Sequence, residues 1–344
     1  MRRSRWRKCK RTSETRFVRW SDSSVMSRTE LPWLEPLEAE LAAQIGSGQL
    51  AHALLVHGQR GTGKRRLAAW LAQELLGSDR PVWPAESAPE TTLHANLHPA
   101  APEAGKLLSV ERIRELIDFM LLSTYGSGAR IAAVCPAESM TRSAANSLLK
   151  ILEEPRPNSY ILLVADDPAQ LPATIISRCR LLRSPAVPRD AALAWLAQQE
   201  PDANWDNALR LAGGGPLAAR QIHADGLDER ARTMSGQLAG LERRASTPLE
   251  VARSWKDLPM RFCCDFLFRC AFRRISDWTA NENNAYKQRF SVLSPDLQEA
   301  MIRDGFVHLD NVMDCRRIER FTPNAELAVT VLLKDWYGGF GTQR

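Results

Sequence analysis

Gly58, Gly61, Gly63 and Lys64, in the stretch GQRGTGKRR, have the types and spacing of a phosphate-binding loop. In such a loop successive backbone N–H groups curl around phosphate oxygens at a helix N-terminus, and the lysine reaches the terminal phosphates. The chemistry would be phosphoryl transfer, which needs two further parts. One is a hydroxyl directly after the lysine, a short neutral ligand for Mg²⁺. Arg65 stands there instead, and its charge favours phosphate but opposes the metal. The other is a carboxylate at the end of a buried strand. The strand expected to supply it, RIAAV, ends in Cys135-Pro136, and neither side chain carries one. Glu138 follows three residues later, where it is expected to fall beyond the metal site. Asp166 and Asp167 close the next strand and could stand in for that carboxylate, but they open a DDP turn, in which capping is their expected job. Both losses fall on the same chemistry, so hydrolysis by this chain alone is not expected. The intact Gly58–Lys64 backbone leaves residual ATP binding without turnover open, with Arg65 as an extra phosphate contact.

The elements that must position these residues follow from hydrophobic period. Leu34, Leu37, Leu41 and Ile45 recur at helical spacing, predicting a helix within 32–47. AHALLVHG (51–58) is a short buried strand delivering the chain into the glycine loop. KRRLAAWLAQELLG (64–77) is helical, with Gly77 as its C-cap. Residues 78–106 carry no periodic signal and are expected to form a loop. Helix, strand, helix and strand then alternate through 107–125, 129–135, 139–155 and 159–165. This is the pattern of an α/β P-loop domain with a mostly parallel sheet. From about 188 onward nearly everything is helical. The cysteine- and aromatic-rich FCCDFLFRCAFRRI (262–275) reads as an amphipathic core helix, its cysteines small buried residues and not ligands.

The formal charge of +6 is concentrated at one end. Residues 1–25 hold nine Arg and Lys against Glu14 and Asp22, a balance of +7 that leaves the remaining chain near −1. A polar, disordered leader therefore sets the pI, not a uniformly basic surface. A phosphate-binding tail, or a true start at Met26, are the other readings of that segment. Seven cysteines, at 9, 135, 179, 263, 264, 270 and 315, form no CxxC pair, which fits a reducing cytoplasm and offers no metal site. No apolar run approaches the ~20 residues needed to span a membrane.

The run SMTRSAANSLLKILEEPRPNSYILLVADDPAQLPATIISRCRLL (139–182), with PWLEPLEAELAAQIGSGQLAHALLVHG (32–58) before it, resembles the bacterial clamp-loader subunits of the AAA+ class. The resemblance is close over 31–76 and 105–182 and weaker in the helical remainder. It implies an AAA+-type domain over 31–186 behind the leader at 1–30. A small helical lid over 187–230 and an all-helical collar over 235–337 would follow. It also implies a DNA polymerase III assembly in which motor (tau/gamma) and delta subunits are partners, and which loads a sliding clamp onto primed DNA. The missing magnesium ligands resemble the stator type of subunit and not the motors.

Carried onto this chain, the family's SRC motif makes Arg178 an arginine finger acting in trans on a neighbour's ATP; an ion pair with a surface carboxylate is the other reading of the residue. A guanidinium is permanently charged and can stabilise a transferring phosphoryl group, which gives the assignment its physical sense. Cys135 and Pro136 occupy the acidic positions of the family's metal strand. The motors' second, lid-borne arginine corresponds to Pro216 here, leaving the contact absent unless Arg220 reaches back. Many relatives carry a four-cysteine zinc module in the region of 78–104. This segment has no cysteine, and His94 and His98 are too few ligands, so no zinc is expected. A catalytically active clamp-loader ATPase and a nucleic-acid-binding accessory protein are the alternative functions.

Overall fold

In the computed structural model, which describes residues 30–83, 92–103, 106–122, 128–201, 203–279, 294–318 and 324–340, strand β1 (Ala53–His57) lies inside a five-stranded sheet. The others are β2 (Leu97–Ala100), β3 (Arg130–Val134), β4 (Ser159–Ala165) and β5 (Arg180–Arg183), in the order β2-β3-β4-β1-β5. Every pairing is parallel. Alternate strand residues therefore serve two cores, as a period of two requires for a sheet covered on both faces. Leu54, Val56, Ile131 and Leu162 face one core, which includes α1 (Glu35–Gly46) and α2 (Lys64–Leu76). Leu55, Ala132, Val134 and Leu163 face the other, with α3 (Val110–Leu121) and α4 (Arg142–Glu153). The α4 helix begins where Thr141 accepts a hydrogen bond from the Ala144 N–H at 3.1 Å, an N-cap.

The segment expected to be a loop contains β2, a correction to the sequence reading. LHPA is too short to show a period and carries Pro99, which argues against a central strand. At the sheet edge that objection disappears. Asn96 and Ala100 carbonyls accept from Ile131 and Cys135 N–H groups, so by alternation the Pro99 position faces the open side. Val82 and Trp83 from the same segment are buried in the first core. His94 Nδ1 accepts from the Asn96 N–H at 3.1 Å, while the His98 ring packs tilted against Phe119 with centroids 5.2 Å apart. The two histidines hold local structure separately. The basic leader lies outside the described residues.

After α5 (Ala173–Ile176) and β5 come α6 (Arg189–Gln199), α7 (Trp205–Leu211) and α8 (Pro216–Ala224), the three helices of the segment expected to form a lid and called the lid below. The expected lid–collar boundary at 230–235 falls inside one helix, α9 (Leu227–Glu242), whose Met234, Leu238 and Leu241 join the C-terminal core. That core also takes α10 (Pro248–Ser254), α11 (Met260–Thr279), α12 (Pro295–Ile318) and α13 (Ala325–Gly339). Cys263 and Cys264 are fully buried in it, and burial pushes the Cys263 thiol up to about 12. They behave as small apolar residues.

Candidate functional site

The glycine loop runs from the end of β1 to the start of α2, and its glycines are there for backbone reasons. Gly58, Gly61 and Gly63 have φ of 133°, 79° and 97°, a region closed to most L side chains. At Gly61 space is short as well: a Cβ would stand 2.5 Å from the backbone N of Ala218 in α8. At Gly63 it would collide with Leu31. The lid helix closes on the loop from one side, since the Leu217 N–H donates to Gly61 O at 3.0 Å. The Gln59 side chain donates to Gly213 O, tying loop and lid again. From below, Trp33 Nε1 donates to Thr62 O at 2.8 Å, and Ser184 Oγ donates to Thr62 Oγ1 at 2.8 Å.

Lys64 is turned inward. Its side chain is 6% exposed, and its ammonium donates to Gln59 O at 2.7 Å and pairs with Asp166 Oδ1 at 2.9 Å. The other Asp166 oxygen, Oδ2, meets Arg261 Nη2 of α11 at 3.1 Å. Asp166 is thus no turn cap, contrary to expectation; Asp167 alone takes that job, accepting from the Ala169 N–H at 3.0 Å. Burial opposes the Asp166 charge, but Lys64, Arg261 and Arg60 outweigh it and hold the carboxyl below its usual range. Glu138 Oε1 accepts the Asp166 N–H at 3.0 Å, bracing the backbone just after β4. The loop, the lid and α11 meet around a cleft of about 720 Å³.

The remaining positions of a metal-dependent site hold neutral or diverted groups. Burial pushes the Cys135 thiol up to about 11, so the residue after β3 is a neutral thiol. Arg65 places its guanidinium 5.6 Å from the centroid of the Trp83 ring. Arg220 lies over Trp195 at 5.8 Å, and burial lowers its pKa. Among the described residues no cluster of three His, Cys, Asp or Glu could hold a metal ion.

Arg178 sits at the other end of the sheet. The register pairs Leu54 with Arg180 and His57 with Arg183, so the loop follows the carboxyl end of β1 while Arg178 precedes the amino end of β5. One strand length, on the order of 15 Å, separates the two ends, so Arg178 is not built to serve its own loop. Its Nη2 pairs with Glu153 Oε1 at 2.5 Å and its Nη1 donates to Thr174 O at 2.9 Å, with the side chain 35% exposed. Cys179 beside it is half-buried against the second core.

Sequence reasoning brought Gly58, Gly61, Gly63 and Lys64 together correctly as one loop. It missed Asp166 and the Gln59 carbonyl as the partners of Lys64, Arg261 as the second partner of Asp166, and Trp83 as the ring beside Arg65. Arg261 stands 95 positions from Asp166 in a helix that shows only an apolar face, and no local pattern announces such a pairing.

A family model described as "DNA polymerase III, delta subunit" matches residues 34–187. The chain is 34% identical over 261 residues to the DNA polymerase III subunit delta' of Pseudomonas aeruginosa, covering 72% of this chain and 75% of that one. It is 33% identical over 227 residues to the subunit of the same name from Haemophilus influenzae, covering 64% and 69%. A gamma/tau subunit of Mycobacterium bovis is 30% identical over 207 residues, covering 55% of this chain and 35% of that one. Among solved structures, the chain is similar over 90% of its length to a gamma subunit-related protein of Thermotoga maritima, which it covers to 99%, at 16% identity and a TM-score of 0.44.

Proposed function

The chain belongs to the family of DNA polymerase III delta' subunits, and from this we propose that it is the non-hydrolysing stator of a clamp loader, contributing Arg178 in trans to a neighbouring motor subunit's ATP. One observation carries the reading. The lysine that would hold phosphate is buried in an ion pair with Asp166, beside a strand end that offers a neutral thiol. A phosphate entering the loop would have to displace that pair, and no carboxylate at Cys135-Pro136 would receive its magnesium. The loop then acts as a joint. Its glycines let lid and strand approach, and nucleotide is not required for that.

In this reading the neighbours are motor (tau/gamma) and delta subunits, and the sliding clamp and primed DNA are reached through the assembly in the cytoplasm. Among the described residues no helix is long and apolar enough to cross a membrane. An ATPase assay on the isolated chain tests the proposal. Turnover should be at background, whereas rates in the ~1–100 s⁻¹ range typical of phosphoryl-transfer enzymes would overturn it. In the assembled complex, Arg178→Ala should leave assembly intact and lower ATPase activity; unchanged activity would remove the finger from the account.

A further inference from the structure

In the LEEP segment (152–155) at the end of α4, two carboxylates stand where a helix makes them costly. Glu153 is the last residue of α4 and Glu154 is its C-cap. Carboxylates there oppose the partial negative charge of a helix C-terminus. Arg178 answers one of them: its Nη2 lies 2.5 Å from Glu153 Oε1, across 25 residues of chain. The opposite side of the guanidinium is held by Thr174 O at 2.9 Å, with Ser177 Oγ near Nη1 at 3.4 Å.

The supports of this arrangement are themselves fixed. Leu148, Ile151 and Leu152 bury α4 in the second core, and Ile175 buries α5 in the same core. His52, just before β1, hydrogen-bonds through Nε2 to Leu152 O at 3.0 Å, pinning the last turn of α4 to the sheet. A guanidinium has five N–H donors, so a carboxylate on one side and a carbonyl on the other leave donors for a third, anionic partner. With the side chain 35% exposed, that partner can approach from outside the chain.

We propose that Glu153 is a positioning residue for Arg178, holding the finger in a fixed direction before and during its contact with the neighbouring subunit's phosphate. The proposal rests on the finger reading above. A long arginine left free would have to give up its rotamer freedom at each encounter; one clamped between Glu153 and Thr174 has already done so. The two motifs, LEEP and SRC, then form one device built from the facing ends of α4 and α5.

The test uses the assembled complex carrying this chain as Glu153→Ala, Glu153→Gln, Arg178→Ala or the double Glu153→Ala/Arg178→Ala variant. ATP turnover and the KM for ATP are read with clamp and primed DNA present, and chain melting is measured as a control. Glu153→Ala should lower kcat about 3- to 10-fold with KM changed less than about two-fold, the pattern of lost orientation and not of lost binding. Glu153→Gln should recover part of the loss, because its amide oxygen still accepts a hydrogen bond. In the double variant Glu153→Ala should add nothing to Arg178→Ala. If Glu153→Ala leaves kcat unchanged or raises it while Arg178→Ala lowers it, the positioning role is overturned and the finger stands. Additive losses in the double variant also overturn it, placing Glu153 in some other task. If Arg178→Ala itself changes nothing, the finger reading and the positioning role fall together.

Discussion

The carboxyl ends of the strands and the amino end of β5 both present a cation suited to phosphate, but in opposite states. At the first, Lys64 is 6% exposed and engaged by Gln59 O and Asp166, inside a loop closed by lid and N-terminal segment. At the second, Arg178 is 35% exposed and rests on one surface carboxylate and one carbonyl. The glycine loop is tied to α8 through Leu217 and, through Lys64 and Asp166, to α11, while the Arg178 side chain remains partly exposed. The loop sequence fixes the backbone shape, while the partners of its lysine are set by tertiary contacts.

Breaking the closed end should have the largest effect. Asp166→Ala leaves Lys64 buried without its carboxylate and releases Arg261 of α11, and should cost about 3 kcal/mol of unfolding free energy. Denaturant melts would show it, and limited proteolysis should report loosening between the α/β domain and α11. Such melts are best made above pH 7, because acid acts elsewhere first. His308 is 1% exposed in the C-terminal core, against Trp336 and Phe340, and burial lowers its pKa to about 4. Its unfolded value is near 6.5, so the unfolded chain binds the proton first. The stability present above that value is then lost as pH falls from about 6.5 to 4, by about 3 kcal/mol in all. His308→Phe should flatten that pH profile, and an unchanged profile would remove His308 from the account.

Gly61→Ala tests the joint sterically. A Cβ there meets Ala218 while the backbone stays at positive φ, so a loss of about 2 kcal/mol is expected from thermal melts, with the lid displaced. Lys64→Met separates joint from catalyst. In a working nucleotide site this change removes a phosphate contact; here it should shift stability by only about 1 kcal/mol, because Asp166 keeps Arg261. Complex ATPase should stay within about two-fold of the parent, and a large drop would restore a nucleotide role to the loop. The smallest stability effect belongs to the open end. Arg178→Ala removes a half-exposed pair and should cost less than about 1 kcal/mol in the isolated chain, though complex activity falls. Were the order of Asp166→Ala and Arg178→Ala reversed in melts, the contrast between closed and open ends would be lost.

Much of the fold was legible locally. Strands β1, β3 and β4 each hold an apolar run of four or more residues, α2 ends at Gly77 in the left-handed conformation its sequence position suggests, and FCCDFLFRCAFRRI is a core helix. β2 was not legible, because a four-residue edge strand with Pro99 has neither period nor propensity in its favour. The site was half legible. Spacing identified Gly58 to Lys64 as one loop between β1 and α2. Asp166 was misjudged, since a DDP turn looks the same whether its first carboxylate caps the turn or reaches Lys64.

By itself, then, the sequence determined which chemical groups exist and which local shapes the backbone takes, because glycine φ, hydrophobic period and side-chain charge are short-range properties. Only the tertiary structure decided what those groups do. Parallel β1 and β5 put Lys64 and Arg178 at opposite ends of one sheet, α11 brought Arg261 across 95 residues to Asp166, and facing helix ends set Glu153 against Arg178. An ion pair depends on distance in space and on exclusion of water, and neither is written in the spacing of residues along the chain.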